Sequence, residues 1–132
     1  MASDKLMKFS DFRKLTVWQK AMDLTEEVYG LIRLLPKEEM FSLSNQIRRA
    51  VVSVPSNIAE GVGRNSSKEF VQFLSIARGS LCELSTQLEI CLRLRYLGDS
   101  ATSKSFALII EISKMLNSLS NSVLTPTETK NE

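Results

Sequence analysis

Side chains that commonly carry out catalysis are scarce in this sequence. Histidine is absent from its 132 residues, which excludes histidine triads, imidazole general bases and histidine metal ligands. Glu60, Glu69 and Glu83 could be imagined as paired carboxylates, but no Glu-x-x-His motif of a di-iron bundle accompanies them. The segment Gly61-Val62-Gly63 ends a predicted helix instead of following a strand, so it does not form a phosphate-binding loop. We expect no enzyme activity, no catalytic residue, no metal site and no cofactor.

The two cysteines, Cys82 and Cys91, lie in one predicted helix. At about 1.5 Å of rise per residue they are roughly 13 Å apart along its axis, too far for a disulfide. A reactive thiol would need an activating base, and nothing in the sequence points to one. We interpret both cysteines as buried thiols in a reducing compartment.

The arginines are the candidates for binding chemistry, because a guanidinium pairs well with phosphate and carboxylate groups. Helical spacing places six polar side chains in one sector of the second predicted helix, here called the polar ridge: Gln46, Arg49, Ser53, Asn57, Glu60 and Arg64. The ridge is either a solvated or inter-helical seam, or a surface where Arg49 and Arg64 contact phosphate or an acidic partner. The candidate nucleic-acid or partner contacts are Arg48, which points away from the ridge, Arg49, Arg64 and Arg78.

Four helices must position these residues. Apolar residues recur at alternating steps of three and four, which is typical of helices packed nearly parallel. The predicted helices run from about Thr16 to Leu35, from Glu39 or Ser42 to Gly63, from Ser66 to Leu97 and from Ser100 to Leu124. Because the connections are short, the sequence predicts an all-α, antiparallel up-down-up-down four-helix bundle. The predicted organisation is an N-terminal extension (1–14), the bundle (15–124) and a disordered tail (125–132).

Local signals indicate the helix ends. Pro55 lies inside the second helix, where we expect a kink because proline removes one backbone hydrogen bond. Gly61 and Gly63 are predicted to terminate that helix. Ser66 to Glu69 is a capping box that begins the third helix, and Gly98 is predicted to cap its end.

Two helices carry more apolar surface than an outer bundle helix requires. The additional residues are Trp18, Met22 and Tyr29 on the first helix and Ile76, Ile90 and Leu94 on the third. They either cover the edges of the bundle or form a subunit interface. Exposed apolar ridges of this size usually meet a partner, so we predict that these residues form an oligomer interface.

Composition places the chain in an ordinary class. Hydrophobic residues make up 43% and charged residues 24%, and the formal net charge is +2. This is a globular mixture of one domain, and the charge alone does not argue for nucleic acid. No segment reaches the roughly 18 apolar residues of a membrane span, and Met1 to Phe12 lacks the apolar core of a signal peptide. We expect a cytoplasmic protein with no membrane partner.

Several stretches together resemble one known family. They are Leu15 to Ala21; Gln46 to Ala50, Ser53 to Gly61 and Gly63-Arg64; and Glu69-Phe70, Phe73-Leu74, Ile76-Ala77, Gly79 to Leu81 and Glu83-Leu84. The chain resembles the bacterial four-helix-bundle proteins encoded in 23S rRNA intervening sequences, strongly over about residues 9–97 and weakly in the fourth helix. The resemblance implies a bundle that assembles into a closed ring, with five subunits expected. Its central motif contains Pro55, Asn57, Glu60 and Gly61, and we expect Asn57 and Glu60 to order the end of the second helix.

The accessory variability proteins of diversity-generating retroelements are related to this family and share its bundle. They are strongly basic and bind nucleic acid and a reverse transcriptase, whereas this chain carries a net charge of only +2. From the resemblance we nevertheless predict a non-enzymatic, ring-forming scaffold for RNA or a nucleic-acid enzyme. The alternative is a purely structural or protein-binding oligomer without nucleic-acid affinity.

Overall fold

The computed structural model describes the backbone of residues 11–131 and the side chains of residues 12–124. Its four α-helices, α1 to α4, span Thr16–Ile32, Leu43–Val62, Ser67–Arg93 and Asp99–Asn131. Short 3-10 helices at Asp11–Lys14 and Lys37–Glu39 precede α1 and α2. The described residues contain no strand, so the predicted all-α class is confirmed.

Successive helices pack side by side, and α1 closes the bundle against α4. Lys20 near the start of α1 pairs with Glu111 of α4, whereas Glu27 farther along α1 pairs with Lys104. These two ion pairs show that α1 and α4 run in opposite directions. The arrangement is the predicted up-down-up-down four-helix bundle. Within the described residues, no helix combines the length and hydropathy that crossing a bilayer demands.

The predicted apolar stripes form the core of the bundle. Buried side chains of α1 are Val17, Ala21, Leu24, Val28 and Leu31. Those of α3 include Leu74, Ala77, Leu81, Leu84, Leu88 and Cys91. Burial of one Leu or Val side chain contributes roughly 1.5–3 kcal/mol before entropy is counted. The regular spacing in the sequence therefore selects the faces that the helices turn toward each other.

The position of Gly61 corrects one sequence prediction. Gly61 lies within α2 instead of terminating it, and Gly63 is the C-cap residue with an ordinary right-handed φ of −76°. A Cβ added at Gly61 would lie 2.8 Å from Phe70 Cδ1 and 3.0 Å from Phe73 Cβ. Glycine is needed at this position because α3 approaches α2 closely, and not because the chain turns there.

The capping box of α3 is confirmed. Ser66 is the N-cap residue, and its Oγ accepts a hydrogen bond from the Glu69 backbone N–H at 3.1 Å. The Glu69 carboxylate reaches back and accepts a bond from the Ser66 hydroxyl at 3.3 Å. The other special position, Pro55, is buried inside a continuous α2, and the kink expected there stays a prediction.

The end of α3 differs from the prediction that Gly98 caps it. Arg95 adopts the left-handed conformation with φ 63°, and no glycine among the described residues has a positive φ. The backbone N–H groups of Tyr96 and Leu97 then both bond to the Cys91 carbonyl, at 2.9 and 3.3 Å. Gly98 instead belongs to the start of α4, since its carbonyl accepts the first-turn bond from the Thr102 N–H at 3.2 Å.

The cysteines have different environments. Cys91 is buried as predicted, and burial raises the pKa of its thiol, with a smaller contribution from the Glu39 carboxylate. Cys82 is exposed, so the prediction of two buried thiols is wrong for this residue. It lies on the outer flank of α3, because helical rotation carries position 82 away from the stripe that contains Leu81.

The structure does not test the two predictions made for the ends of the chain, an N-terminal extension and a disordered tail. The N-terminal extension was predicted for residues 1–14, and residues 1–10 lie outside the described part. The backbone of α4 is helical to Asn131, but side chains beyond Leu124 are not described. Disorder of residues 125–132 therefore stays a prediction.

Candidate interaction surfaces

The middle of the polar ridge is a seam between α2 and α3. The Ser80 hydroxyl of α3 donates to Ser53 Oγ of α2 at 2.8 Å. Asn57 Nδ2 donates to both the carbonyl and the hydroxyl oxygen of Ser53, at 2.8 Å each. Since these groups hydrogen-bond to one another, the central part of the ridge supports the inter-helical interpretation. That Asn57 orders the end of α2 stays a prediction.

Arg64 connects the end of α2 to the beginning of α3. One guanidinium nitrogen lies 3.0 Å from the Glu60 carboxylate and another 4.0 Å from that of Glu69. The guanidinium also lies over the Phe73 ring, 4.7 Å from its centroid. Because two carboxylates already neutralise this cation, it is a weaker candidate for phosphate than its sequence position indicates. Its contact with a partner stays a prediction.

The other three predicted basic contacts have different environments. The Arg48 guanidinium lies 5.9 Å from the centroid of the Tyr29 ring and is half-buried between α1 and α2. Arg49 and Arg78 are exposed and form no ion pair with any residue that the structure describes. Of the four predicted contacts, these two therefore present an unpaired cation to solvent.

The α3 stripe, defined as Ile76, Ile90 and Leu94, is open to solvent. The three residues are 51%, 39% and 52% exposed. At about 100° of rotation per residue they lie within roughly 40° of one another around the helix axis. A Cβ added at the neighbouring Gly79 would meet no atom within 4 Å. The protomer leaves this stripe uncovered.

The predicted interface residues of α1 are more enclosed. Trp18 packs against the core and makes an edge-to-face contact with Phe12, with ring centroids 5.3 Å apart. Tyr29 also packs against the core, beneath Arg48. Met22 is exposed, and so is Val52 on α2. Packing at the edge of the bundle thus accounts for much of the burial of Trp18 and Tyr29. Their role in a subunit interface stays a prediction.

Sequence reasoning missed a set of exposed residues at one end of the bundle. Phe41, in the connection between α1 and α2, is 90% exposed, and Leu34 and Met40 beside it are also exposed. Leu34 falls at the end of the predicted first helix, and Met40 and Phe41 fall either in the connection or, if the second helix begins at Glu39, in its first turn. The sequence signal that could have identified this surface is an aromatic residue, Phe41, that lies between the charged residues 37–39 and 48–49.

The described residues offer little that resembles an active site. No three side chains of the His, Cys, Asp and Glu types converge in this part of the chain as a metal site would require. The exposed Cys82 shares a groove between α3 and α4 with Ile110 and Lys114. That groove is mainly apolar and contains no carboxylate.

Sequence comparison identifies the family of this bundle. The profile of the 23S rRNA-intervening sequence protein family matches residues 13–118. The chain belongs to this family. The match begins just before α1 and ends within α4, so it includes the polar ridge and the α3 stripe.

A crystal structure at 1.70 Å resolution supports the same assignment. It is that of a protein of unknown function from the S23 ribosomal protein family of Bacteroides thetaiotaomicron VPI-5482. That protein is 26% identical to this one, with a TM-score of 0.74, and the alignment covers 80% of this chain and 98% of the other. No curated protein matches the chain significantly. The relation to accessory variability proteins stays a prediction.

Proposed function

We propose that this member of the 23S rRNA-intervening sequence protein family is a non-enzymatic, homo-oligomeric scaffold that binds RNA or a nucleic-acid enzyme. The observation that carries the proposal is the exposed α3 stripe, because Ile76, Ile90 and Leu94 are 51%, 39% and 52% exposed in the protomer. Burying such side chains against another copy would remove apolar surface from water. We expect neither a membrane partner nor a cofactor.

The positions of the apolar surfaces favour a ring. The α1 helix packs on α2 and α4, and so does α3, which places α1 and α3 diagonally across the bundle. Met22 on α1 and the α3 stripe are therefore different surfaces of one protomer. Contact between two different surfaces is heterologous, and it produces a closed ring when the rotation between subunits closes. The family resemblance supplies the expected number of five subunits.

Gly79 supports close contact at the stripe. A glycine inside a helix costs about 1 kcal/mol relative to alanine, and nothing within this protomer requires one at position 79. An approaching helix of a second copy would require it, in the way that the Phe70 ring requires Gly61 within the protomer. Gly79 thus adds to the case for a subunit contact beside Ile76.

Assembly is tested by sedimentation velocity on the double variant Ile76→Asp/Leu94→Asp. We expect the wild type to sediment as an oligomer and the variant as a protomer, because two carboxylates in the contact would have to be desolvated. The control is Ile110→Asp, which places one carboxylate at a similarly exposed position on α4; the single variant Ile76→Asp is its counterpart of equal charge. A wild type that remains a protomer at high concentration would contradict the ring.

RNA binding is the second part of the proposal. It is supported by the exposed cations Arg49 and Arg78 and by the association of the family name with 23S rRNA. Fluorescence anisotropy with a labelled single-stranded RNA at low salt should detect binding. The affinity should then fall steeply as salt rises, because phosphate contacts release counterions. Absence of binding at low salt would remove RNA as the partner.

The alternative is a purely structural or protein-binding oligomer without nucleic-acid affinity. It is favoured by the neutralisation of Arg64 by Glu60 and Glu69. In this case Arg49→Ala should disturb assembly, since the polar ridge would lie between subunits. Unchanged sedimentation of Arg49→Ala together with weaker RNA binding would instead support the scaffold for RNA.

A further inference from the structure

Two connections meet at one end of the bundle and are held together by Glu39. The Tyr96 hydroxyl, between α3 and α4, donates to Glu39 Oε2 at 2.9 Å. Glu39 Oε1, between α1 and α2, accepts from the Ser42 hydroxyl at 2.7 Å and from the Leu43 N–H at 3.3 Å. The carboxylate thus fixes both connections relative to each other. Residues from either side form one continuous surface.

This surface presents an aromatic ring to solvent. Phe41 is the most exposed of the large hydrophobic residues that the structure describes. An exposed Phe side chain keeps its apolar surface in water, which is unfavourable, and it contributes no packing to the fold. Its backbone is nevertheless held, because it lies between the Glu39 carboxylate and the first residue of α2. The backbone that carries the ring is therefore held at this end of the bundle, while the ring itself is exposed.

Four cations surround the same end. They are Arg33 and Lys37 on the first connection, Arg93 as the last residue of α3, and Arg95 on the second connection. All four are exposed, and none forms an ion pair with any of the described residues. Two further carboxylates, Glu38 and Asp99, lie among them. We call Arg33, Lys37, Phe41, Arg93 and Arg95 the basic–aromatic end.

We propose that the basic–aromatic end binds single-stranded RNA, with a base stacked on Phe41 and phosphates contacted by the four cations. The inference rests on the proposed function and names the site through which it acts. Proteins that bind single strands combine cations that follow the backbone with aromatic rings on which bases stack. A single strand is required because the bases of a duplex are stacked on each other and cannot reach a protruding ring.

The distribution of charge favours a strand over an anionic membrane. The exposed Glu38 follows Lys37 along the chain and the exposed Asp99 follows Arg95 by four residues, so a flat anionic surface at this end would meet both signs of charge. A flexible strand can direct its phosphates to the cations alone. The most exposed side chain is also the aromatic Phe41, not the aliphatic Leu34 or Met40.

The test compares three substitutions of Phe41 by fluorescence anisotropy. The probe is a fluorescein-labelled 12-nucleotide oligouridine at low salt, and the full-length protein is used in its native assembly. Stacking of one base typically accounts for about 5- to 100-fold in affinity. We therefore expect Phe41→Ala and Phe41→Leu to weaken binding by such a factor, whereas Phe41→Trp retains it. Each variant should fold normally because the ring makes little intramolecular contact, and circular dichroism checks this.

Charge variants complete the test. Lys37→Gln combined with Arg95→Gln should reduce the slope of log affinity against log salt by about 1.4, or roughly 0.7 per phosphate contact. Lys68→Gln is the matched control, since Lys68 is an exposed cation near the start of α3, at the opposite end of the bundle.

The outcomes separate this inference from the proposed function. If wild-type protein binds RNA and Phe41→Ala binds equally well, the basic–aromatic end is not the site, although RNA binding stands. If Phe41→Leu retains the affinity that Phe41→Ala loses, the ring is an apolar anchor and stacking is wrong. Binding to phosphatidylserine vesicles without binding to RNA would overturn both proposals in favour of a membrane surface.

Discussion

The two sides of α3 look similar in sequence and differ in the structure. Toward α2, Gly61 lies against Phe70 and Phe73, and Ser80 bonds to Ser53. On the outer flank, the α3 stripe and Gly79 have the same kinds of residue but no partner. A glycine beside large apolar side chains thus accompanies a close helix contact on one side and open space on the other. In the proposed oligomer, a second copy would cover the open side.

The largest expected effect contrasts a buried and an exposed residue of α3. Leu81→Ala should lower the free energy of unfolding by about 2–5 kcal/mol, because Leu81 is fully buried and its removal leaves a cavity. Ile76→Ala should change it by no more than about 0.5 kcal/mol in the dissociated protomer. Urea denaturation at a dilution where sedimentation detects only protomers measures both. Equal losses for the two variants would mean that Ile76 is covered within its own chain.

The two glycines give the next largest contrast. Gly61→Ala should destabilise the protomer by about 1–3 kcal/mol, because its Cβ would lie too close to Phe70 and Phe73. Gly79→Ala should stabilise the dilute protomer by about 0.5–1 kcal/mol, since its Cβ meets open space and alanine favours helix. Thermal unfolding of both variants provides the measurement. Stabilisation by Gly61→Ala would show that α2 and α3 can separate at little cost.

A smaller effect concerns the seam between α2 and α3. Ser53→Ala should cost about 1–2 kcal/mol, because it deprives both Ser80 and Asn57 of an acceptor. Ser80→Ala removes only one bond and should cost less. A double-mutant cycle on the two serines should give a coupling of about 0.5–1.5 kcal/mol. Additive effects would indicate that each hydroxyl finds another partner.

The smallest effect is a pH dependence at the basic–aromatic end. Hydrogen bonds from Ser42 and then Tyr96 hold the pKa of Glu39 below its ordinary value of 4.5. The folded state therefore favours the carboxylate, and this stabilisation is present above pH 4.5 and is lost as pH falls through the lowered pKa. The free energy of unfolding, measured from pH 6 to pH 3, should fall less steeply in Glu39→Gln than in wild type. An identical pH profile in the two proteins would contradict a favoured carboxylate.

Tyr96 provides a second check on the same contact. Its hydrogen bond to Glu39 raises the pKa of the phenol above 10.0. The neutral phenol is therefore favoured in the folded state, and this contribution is present below pH 10 and lost as pH rises through the raised pKa. Spectrophotometric titration should show Tyr96 ionising at lower pH in Glu39→Gln than in wild type.

The fold was predictable because it follows from local rules. Helical periodicity identified Leu24, Leu81 and Leu88 as core residues, and all three are fully buried. The capping box at Ser66 and Glu69 was equally clear, because its residues lie three positions apart and need no distant contact. The up-down-up-down order follows from short connections between long helices.

The site was less predictable, and the errors have a common cause. Gly61 and Gly98 were assigned to helix ends, but their neighbours in space or in the next helix decide their roles. Arg64 is predicted either to lie in a polar seam or to contact a partner, and spacing along α2 does not reveal that Glu69 of α3 lies 4.0 Å from its guanidinium. Cys82 is predicted to be a buried thiol although helical spacing places it near a flank of α3, where the structure leaves it exposed. These positions depend on contacts between elements, which spacing along one helix does not encode.

The sequence alone determined the number of helices, their buried faces, the start of α3 and the family, because each follows from periodicity or from a motif of adjacent residues. The tertiary structure decided which charges are already neutralised, which glycine has a neighbour, and that Phe41 and four unpaired cations share one end of the bundle. The physical reason is distance. Local propensity acts over a few residues, whereas neutralisation and exposure depend on side chains that only the packed bundle brings together.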